Sequence, residues 1–189
     1  MLRDRKINTI MEPDEDKHTM RRAEYTLRFI ASHISGKAEH LLDISDKNKV
    51  GDYIAKELEL EIYNTSGDFD YDWSAPSRGF DTVICLEVLE HLLSPKFFLI
   101  ELKKYIKPDA QIFITYPSRP KFLWADHHFH EYDLRRFRYL VEQSGYEIID
   151  IKRKKFTRSN YFKGIRTPLR LFFDWDILVY LKEKNEHKN

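Results

Sequence analysis

Apolar positions change their spacing several times along this chain, and each change marks a predicted element. From His18 onward, Met20, Ala23, Leu27, Ile30 and Ile34 recur at three- and four-residue steps, which predicts a helix stopped by Gly36. Residues 1–17 before it are polar and aperiodic and read as a flexible arm. "HLLDIS" (40–45) then reads as a short buried strand, "VGDYIAKEL" (50–58) as a helix and "LEIYNT" (60–65) as a second strand. "FDTVICLEV" (80–88), β-branched and continuously apolar, is the strongest strand signal. Ser94 followed by Pro95 predicts a helix start, with Phe98, Leu102, Tyr105 and Ile106 as the apolar face and "KPDA" as the end. "QIFITYP" (111–117) is a further strand. Asp133 is placed to cap a helix carrying Leu134, Phe137 and Val141, which Gly145 stops. "YEIIDIKR" (146–153) and "DILVYLKE" (176–183) read as two closing strands around an insertion of mixed character.

Strands alternating with helices predict an α/β fold, a mostly parallel sheet covered by helices on both faces, with an antiparallel strand pair at the C-terminal end. Such sheets bind ligands beyond the carboxyl ends of their strands, where the strand order reverses. The loops after Ile44, Thr65, Leu86 and Tyr116 are therefore expected to converge on one crevice. No internal repeat interrupts residues 18–189, which read as a single domain.

Composition narrows the partners. The 189 residues carry 32 basic and 31 acidic side chains, a net charge of +1, so no overall field favours nucleic acid or a membrane surface. The basic run "IKRKKFTR" (151–158), with Arg166 and Arg170 beyond it, reads as a solvated edge. The lone Cys85 lies in an apolar run and is expected to be buried and inert. No stretch has the length of a membrane span and no signal-peptide core is visible, so a soluble cytoplasmic protein is expected. The oligomeric state is left open, although "GIRTPLRLFFDWDIL" (164–178) is apolar enough to cover the site or a partner.

The run "GFDTVICLEVLEHLLSPKFFLIELKKYIKPDAQIFITYPS" resembles the central segment of class I S-adenosylmethionine-dependent methyltransferases, in particular the methyltransferase type 11/12 group. Its "FD-hydrophobic-EVLEHL" strand-turn, "LKPGG" and "PN" are matched by Phe80-Asp81, Glu87 to Leu92, "IKPDA" at 106–110 and Pro117-Ser118. "HFHEYDLRRFRYLVEQSGYEIIDIK" is similar to a later segment of the same family, and the resemblance spans roughly residues 38–155. It implies a Rossmann-like fold, here trimmed around the second and third strands. It also implies S-adenosylmethionine as cofactor and a small-molecule or glycan acceptor.

The same resemblance nominates residues. Family members read "LLDIGCGxG" after the first strand, where glycines let backbone approach ligand. This chain reads "LLDISDKNKVGDYIA": Asp43 is kept, Ser45, Asp46, Lys47 and Lys49 stand at the glycine positions, and Gly51 remains. Asp43, Ser45 and Gly51 are the cofactor-side candidates there. Asn64 at the end of the second strand, and Asp68 and Asp70 in the following acidic loop, are candidates for the ribose hydroxyls. The bland reading of the acidic loop is solvation. Leu86 and Glu87 are expected to line the crevice, with His91 at the start of the next helix and Glu90 as a local hydrogen-bonding partner.

On the acceptor side, His127, His128 and His130 of "WADHHFHEYD" are candidates to take a proton, with Tyr132 in support, and His91 is a further catalytic candidate. Each of these histidines is equally explained as structural. A metal reading of His127, His128, His130 and Glu131 is disfavoured by their crowded spacing on one loop and by the want of a second ligand cluster, so no metal is expected. Tyr71, Trp73, Tyr116, Phe122 and Trp124 are candidates to wall a substrate. The competing reading is a scaffold that keeps the fold and has lost the cofactor, which the substituted glycine loop favours.

Overall fold

The computed structural model describes residues 13–36, 38–76, 79–120, 127–156 and 175–184. Six strands form one sheet: β1 (His40–Asp43), β2 (Glu61–Asn64), β3 (Phe80–Leu86), β4 (Ile106–Ser118), β5 (Tyr146–Lys154) and β6 (Trp175–Glu183). Their order is β2-β1-β3-β4-β6-β5. The first four pair in parallel, and β6 runs antiparallel between β4 and β5. Helices α1 (Pro13–Ala31), α2 (Lys49–Glu57), α3 (Pro95–Leu102) and α4 (Leu134–Gln143) complete the described elements.

Strand alternation divides the core into two layers. Leu41, Ile84, Phe113, Leu178 and Tyr180 face α1 and α2 and pack on Phe29, Ile30, Ile54 and Ala55. Leu42, Val83, Cys85, Ile112, Ile114 and Val179 point the other way, onto Phe98, Leu99 and Leu102 of α3 and Phe137 and Val141 of α4. Two covered faces are the physical reason that residues 82–85 of β3 and 110–117 of β4 are buried without interruption. Between β2 and β3 the described residues hold no helix, only a bridge pairing Ser66 with Ser74, which is the trimmed region expected from the sequence.

Three boundaries differ from the sequence reading. Helix α1 begins at Pro13 and not at His18. Residues 13–17, "PDEDK", have no apolar spacing to reveal them, yet proline in the first turn followed by acidic residues is a helix-start signal in its own right. Helix α3 ends at Leu102 through a tight turn, with Lys103, Lys104 and Tyr105 amides each reaching back three residues. Ile106 and "KPDA" therefore open β4 and do not end the helix. Ile106 mimicked a helical position because its pairing with Phe80 carries it into the same core. Finally, His91 lies in a separate 3₁₀ turn, Leu89–His91, and α3 starts only at Pro95. Ser94 is the residue before α3, but its hydroxyl makes no capping bond.

Candidate functional site

The strand order reverses between β1 and β3, and the carboxyl ends of β1, β2 and β3 meet there. Asp43 sits opposite both Asn64 and Ile84 in the ladder. It is 2% exposed. Its Oδ2 accepts from the amides of Asn48 at 3.0 Å and Asn64 at 3.4 Å. Burial pushes the Asp43 carboxyl up to about 6, against the hydrogen bonds that favour its charge. Gly51 is explained by this carboxylate: a Cβ at residue 51 would lie 2.2 Å from Asp43 Oδ2. Its bare Cα gives helix α2 room beside a buried acid.

The substituted glycine loop is held by its own side chains. Asn48 Oδ1 accepts from the amides of Val50 and Gly51, both at 2.9 Å, and so caps α2. Its Nδ2 also donates to Ser45 Oγ at 2.7 Å and to the Asp46 carbonyl at 3.0 Å. Ser45 donates to the Asp46 carbonyl in turn, and the Ser45 carbonyl accepts from Asn64 Nδ2 at 3.2 Å. The Asn64 nitrogen is thus committed to Asp43 and to the Ser45 carbonyl. Asn48 is the residue that the sequence reading missed. The signal is an asparagine just ahead of an apolar helix, inside the segment where the family's glycines are replaced.

Asp68 and Asp70 both accept hydrogen bonds from backbone amides. Asp68 Oδ1 accepts from the Asp70 amide and shapes its own turn. The Asp70 carboxylate accepts from the amides of Leu93 and Ser94, at 2.9 and 2.8 Å, which ties the acidic loop to the start of α3 in place of the Ser94 hydroxyl. Leu86 is half-buried at the end of β3. Glu87 follows in the left-handed region, φ 58°, an unusual conformation for a side chain of this size, found most often where function or turn demands it.

Glu87 meets a partner that the sequence did not nominate. Arg22 of α1 places Nη2 2.9 Å from the Glu87 carboxylate and Nε 2.9 Å from Asp176 of β6. The Arg22 and Glu87 side chains are 23% and 26% exposed. Thr115 Oγ1 donates to the other Glu87 oxygen at 3.1 Å. Ala23, Thr26, Phe29 and Ile30 are buried residues of α1, and Arg22 is half-buried, as are Met20 and Leu27. The buried face is therefore turned slightly from the one that apolar spacing marked.

Glu90, one residue before His91, is almost wholly buried. Its Oε2 has no partner among the described residues, and burial with Glu87 nearby pushes its carboxyl up to about 9. The Glu90 carbonyl accepts from the amides of Phe129 and His130, which pins the histidine loop to the 3₁₀ turn. There the His91, His127 and His128 rings gather: centroids are 5.2 Å apart for His91–His127, 4.8 Å for His91–His128 and 4.6 Å for His127–His128. His91 Nδ1 bonds the His127 carbonyl at 3.2 Å, and His128 Nδ1 bonds the buried Glu131 at 2.9 Å. Burial lowers both rings, His128 to about 4. His130 stands apart, stacked on Tyr132 with Nε2 3.5 Å from the Leu93 carbonyl.

Of the proposed aromatic walls, Trp73 and Tyr116 are buried core, and Tyr71 is exposed. Phe122, Trp124, Arg166, Arg170, most of 164–178 and the end of the basic run lie outside the described residues.

A family profile described as "Methyltransferase domain" matches residues 20–151. Over 93 residues the chain is 32% identical to the mitochondrial ubiquinone biosynthesis O-methyltransferase of Dictyostelium discoideum; the match takes in 49% of this chain and 25% of that protein. Among solved structures, the Burkholderia thailandensis 1,6-didemethyltoxoflavin-N1-methyltransferase, crystallised with 1,6-didemethyltoxoflavin and S-adenosylhomocysteine, superposes with a TM-score of 0.61 at 10% identity, over 98% of this chain and 99% of that one. The YcgJ protein of Bacillus subtilis superposes at 0.57 with 14% identity, over 86% and 99%. At such identities the structures bear on the fold alone.

Proposed function

This chain belongs to the methyltransferase-domain family, and on that premise we propose that it transfers a methyl group from S-adenosylmethionine to a small-molecule acceptor. The observation that carries the reading is the convergence of Asp43, Asn64 and Glu87 at the carboxyl ends of three adjacent parallel strands. The donor set fits the cofactor. Glu87 and Arg22 offer a carboxylate and a guanidinium, both partly exposed, which suit the ammonium and carboxylate of an amino-acid end. Asn64 Oδ1 is an acceptor for a ribose hydroxyl. Loss of the glycine loop matters less than it would for a dinucleotide, because this cofactor has no pyrophosphate for a helix N-terminus to hold.

When bound, the cofactor supplies an electrophilic methyl group. The chain supplies alignment and a proton acceptor. Burial lowers His128 to about 4, which makes it a weak base near neutral pH, and burial also lowers His91. His130, with Nε2 donating to the Leu93 carbonyl, keeps Nδ1 as an acceptor and is assigned the proton. The small-molecule class is supported by the likeness to the ubiquinone-pathway O-methyltransferase, a likeness limited to a quarter of that protein's length.

The test is calorimetric titration with S-adenosylmethionine and S-adenosylhomocysteine. Micromolar binding, about −8 kcal/mol, is expected, with roughly tenfold or greater weakening in Glu87→Gln. The scaffold reading is favoured by one observation, the side-chain network that closes the β1–α2 loop around Asn48. Silence at millimolar ligand would establish it in place of the enzyme.

A further inference from the structure

The histidine cluster has a property that methyl transfer does not require. His91, His127 and His128 each bring a ring nitrogen to one place, all within 4.8 Å of one another. His91 lies 36 residues upstream of His127, and the fold brings it to the loop. We propose that these three histidines form a site for one divalent transition ion of the zinc class, with Glu131 as the carboxylate behind His128.

Three observations carry this. The first is spacing. An ion about 2.1 Å from each of three imidazole nitrogens in tetrahedral array places the ring centroids about 5 Å apart, and the observed separations are 5.2, 4.8 and 4.6 Å. The second is orientation. Metal-bound histidines are held by a hydrogen bond at the other ring nitrogen, to a carboxylate or a backbone carbonyl. His128 has the first kind, Nδ1 to Glu131, and His91 the second, Nδ1 to the His127 carbonyl. In His128 this leaves Nε2 for an ion, whereas His91 Nε2 lies 4.0 Å from the buried Glu90 carboxylate, which borders the same place. The third is rigidity. The loop carrying His127 and His128 is fastened to the 3₁₀ turn carrying His91 by the Phe129 and His130 amides on the Glu90 carbonyl, and by Tyr132 Oη on the Leu89 carbonyl. Two ligands are therefore fixed before any ion arrives. His127 is exposed and its ring lies parallel to that of His91, so it is the ligand that turns to close the site.

Nitrogen-only ligation selects zinc, nickel, cobalt or copper over magnesium and calcium. Three protein ligands leave a fourth position for water or for an acceptor oxygen, the arrangement of catalytic rather than purely structural zinc. The inference does not rest on cofactor binding, and the two fail separately: zinc is measured without S-adenosylmethionine, and the cofactor without zinc.

The experiment uses the full chain with any affinity tag removed, stripped by chelator and titrated with zinc chloride by calorimetry. Cobalt(II) then serves as a spectroscopic stand-in. One equivalent of zinc and visible cobalt ligand-field bands are expected. His127→Ala abolishes both while the far-UV circular dichroism stays unchanged, as befits an exposed residue, and Glu131→Gln weakens zinc roughly tenfold to a hundredfold. No zinc heat in the wild-type chain, or an affinity unchanged in His127→Ala, overturns the site. If Glu131→Gln does not fold, the His127→Ala result decides alone. Magnesium chloride serves as the control and is expected to give no heat.

Discussion

The two rims of the crevice treat their polar groups in opposite ways. On the β1–β2 rim, Asp43, Ser45, Asn48 and Asn64 spend their hydrogen bonds on each other, and the network shapes a loop that has lost its glycines. On the rim formed by the 3₁₀ turn and the 127–132 loop, the anchoring bonds go through backbone groups and the Nδ1 atoms, and ring nitrogens of three histidines lie within 4.8 Å of one another. The first rim has turned recognition chemistry into structure. The second uses structure to present chemistry. Polar side chains that satisfy one another rigidify a loop, whereas side chains oriented from behind remain available to a ligand.

The sharpest way to break this contrast is Gly51→Ala. The added methyl meets a carboxylate fixed by two donors, with Asp43 Cγ at 3.1 Å and Ile62 Cδ1 at 3.2 Å behind it. Chemical denaturation is expected to show a loss of about 2–3 kcal/mol; an unchanged midpoint would mean that the Asp43 side chain is free to move.

A smaller effect follows from Asp43 itself. Its folded pKa, about 6, lies above the ordinary 3.8, so the folded state binds a proton that the unfolded chain releases. Its contribution to stability is full below about pH 4, falls as pH rises toward 6 and is flat beyond. The expected span is on the order of 2 kcal/mol, read from denaturation midpoints across this window, and Asp43→Asn should flatten that part of the profile. A profile that rises through the same window would reverse the assignment.

The smallest is Asn48→Ala, which removes the α2 cap and costs about 1 kcal/mol. It also releases the Val50 and Gly51 amides toward the crevice. Zinc affinity is expected to stay at the wild-type value in this variant, since the two rims share none of these bonds. A change in zinc affinity there would join what the comparison separates.

Much of this was legible in the chain. The strands from His40 to Glu183 and the α2 and α4 helices announced themselves by period, and Asp133 caps α4 as expected, accepting from the Arg136 amide at 2.8 Å. The "EVLEHL" segment does fall at the end of β3, where the sheet order reverses. Roles were less legible than places. Asp70 reads as a candidate for the ribose hydroxyls, and only the fold brings the Leu93 and Ser94 amides onto its carboxylate. Arg22 carries no signal in the apolar period of α1, and its position over Glu87 depends on how that helix rolls against β6.

The sequence by itself determined the α/β architecture and the strands whose ends carry the chemistry, because hydrophobic period is a local property that each segment carries with it. Tertiary structure alone decided which polar groups meet: Arg22 with Glu87, Asn48 with Asp43, His91 with His127 and His128. Those pairings join segments far apart in the chain or sit inside a turn whose shape they create. A hydrogen bond or ligand set depends on distances of a few tenths of an ångström, which no pattern along one dimension encodes.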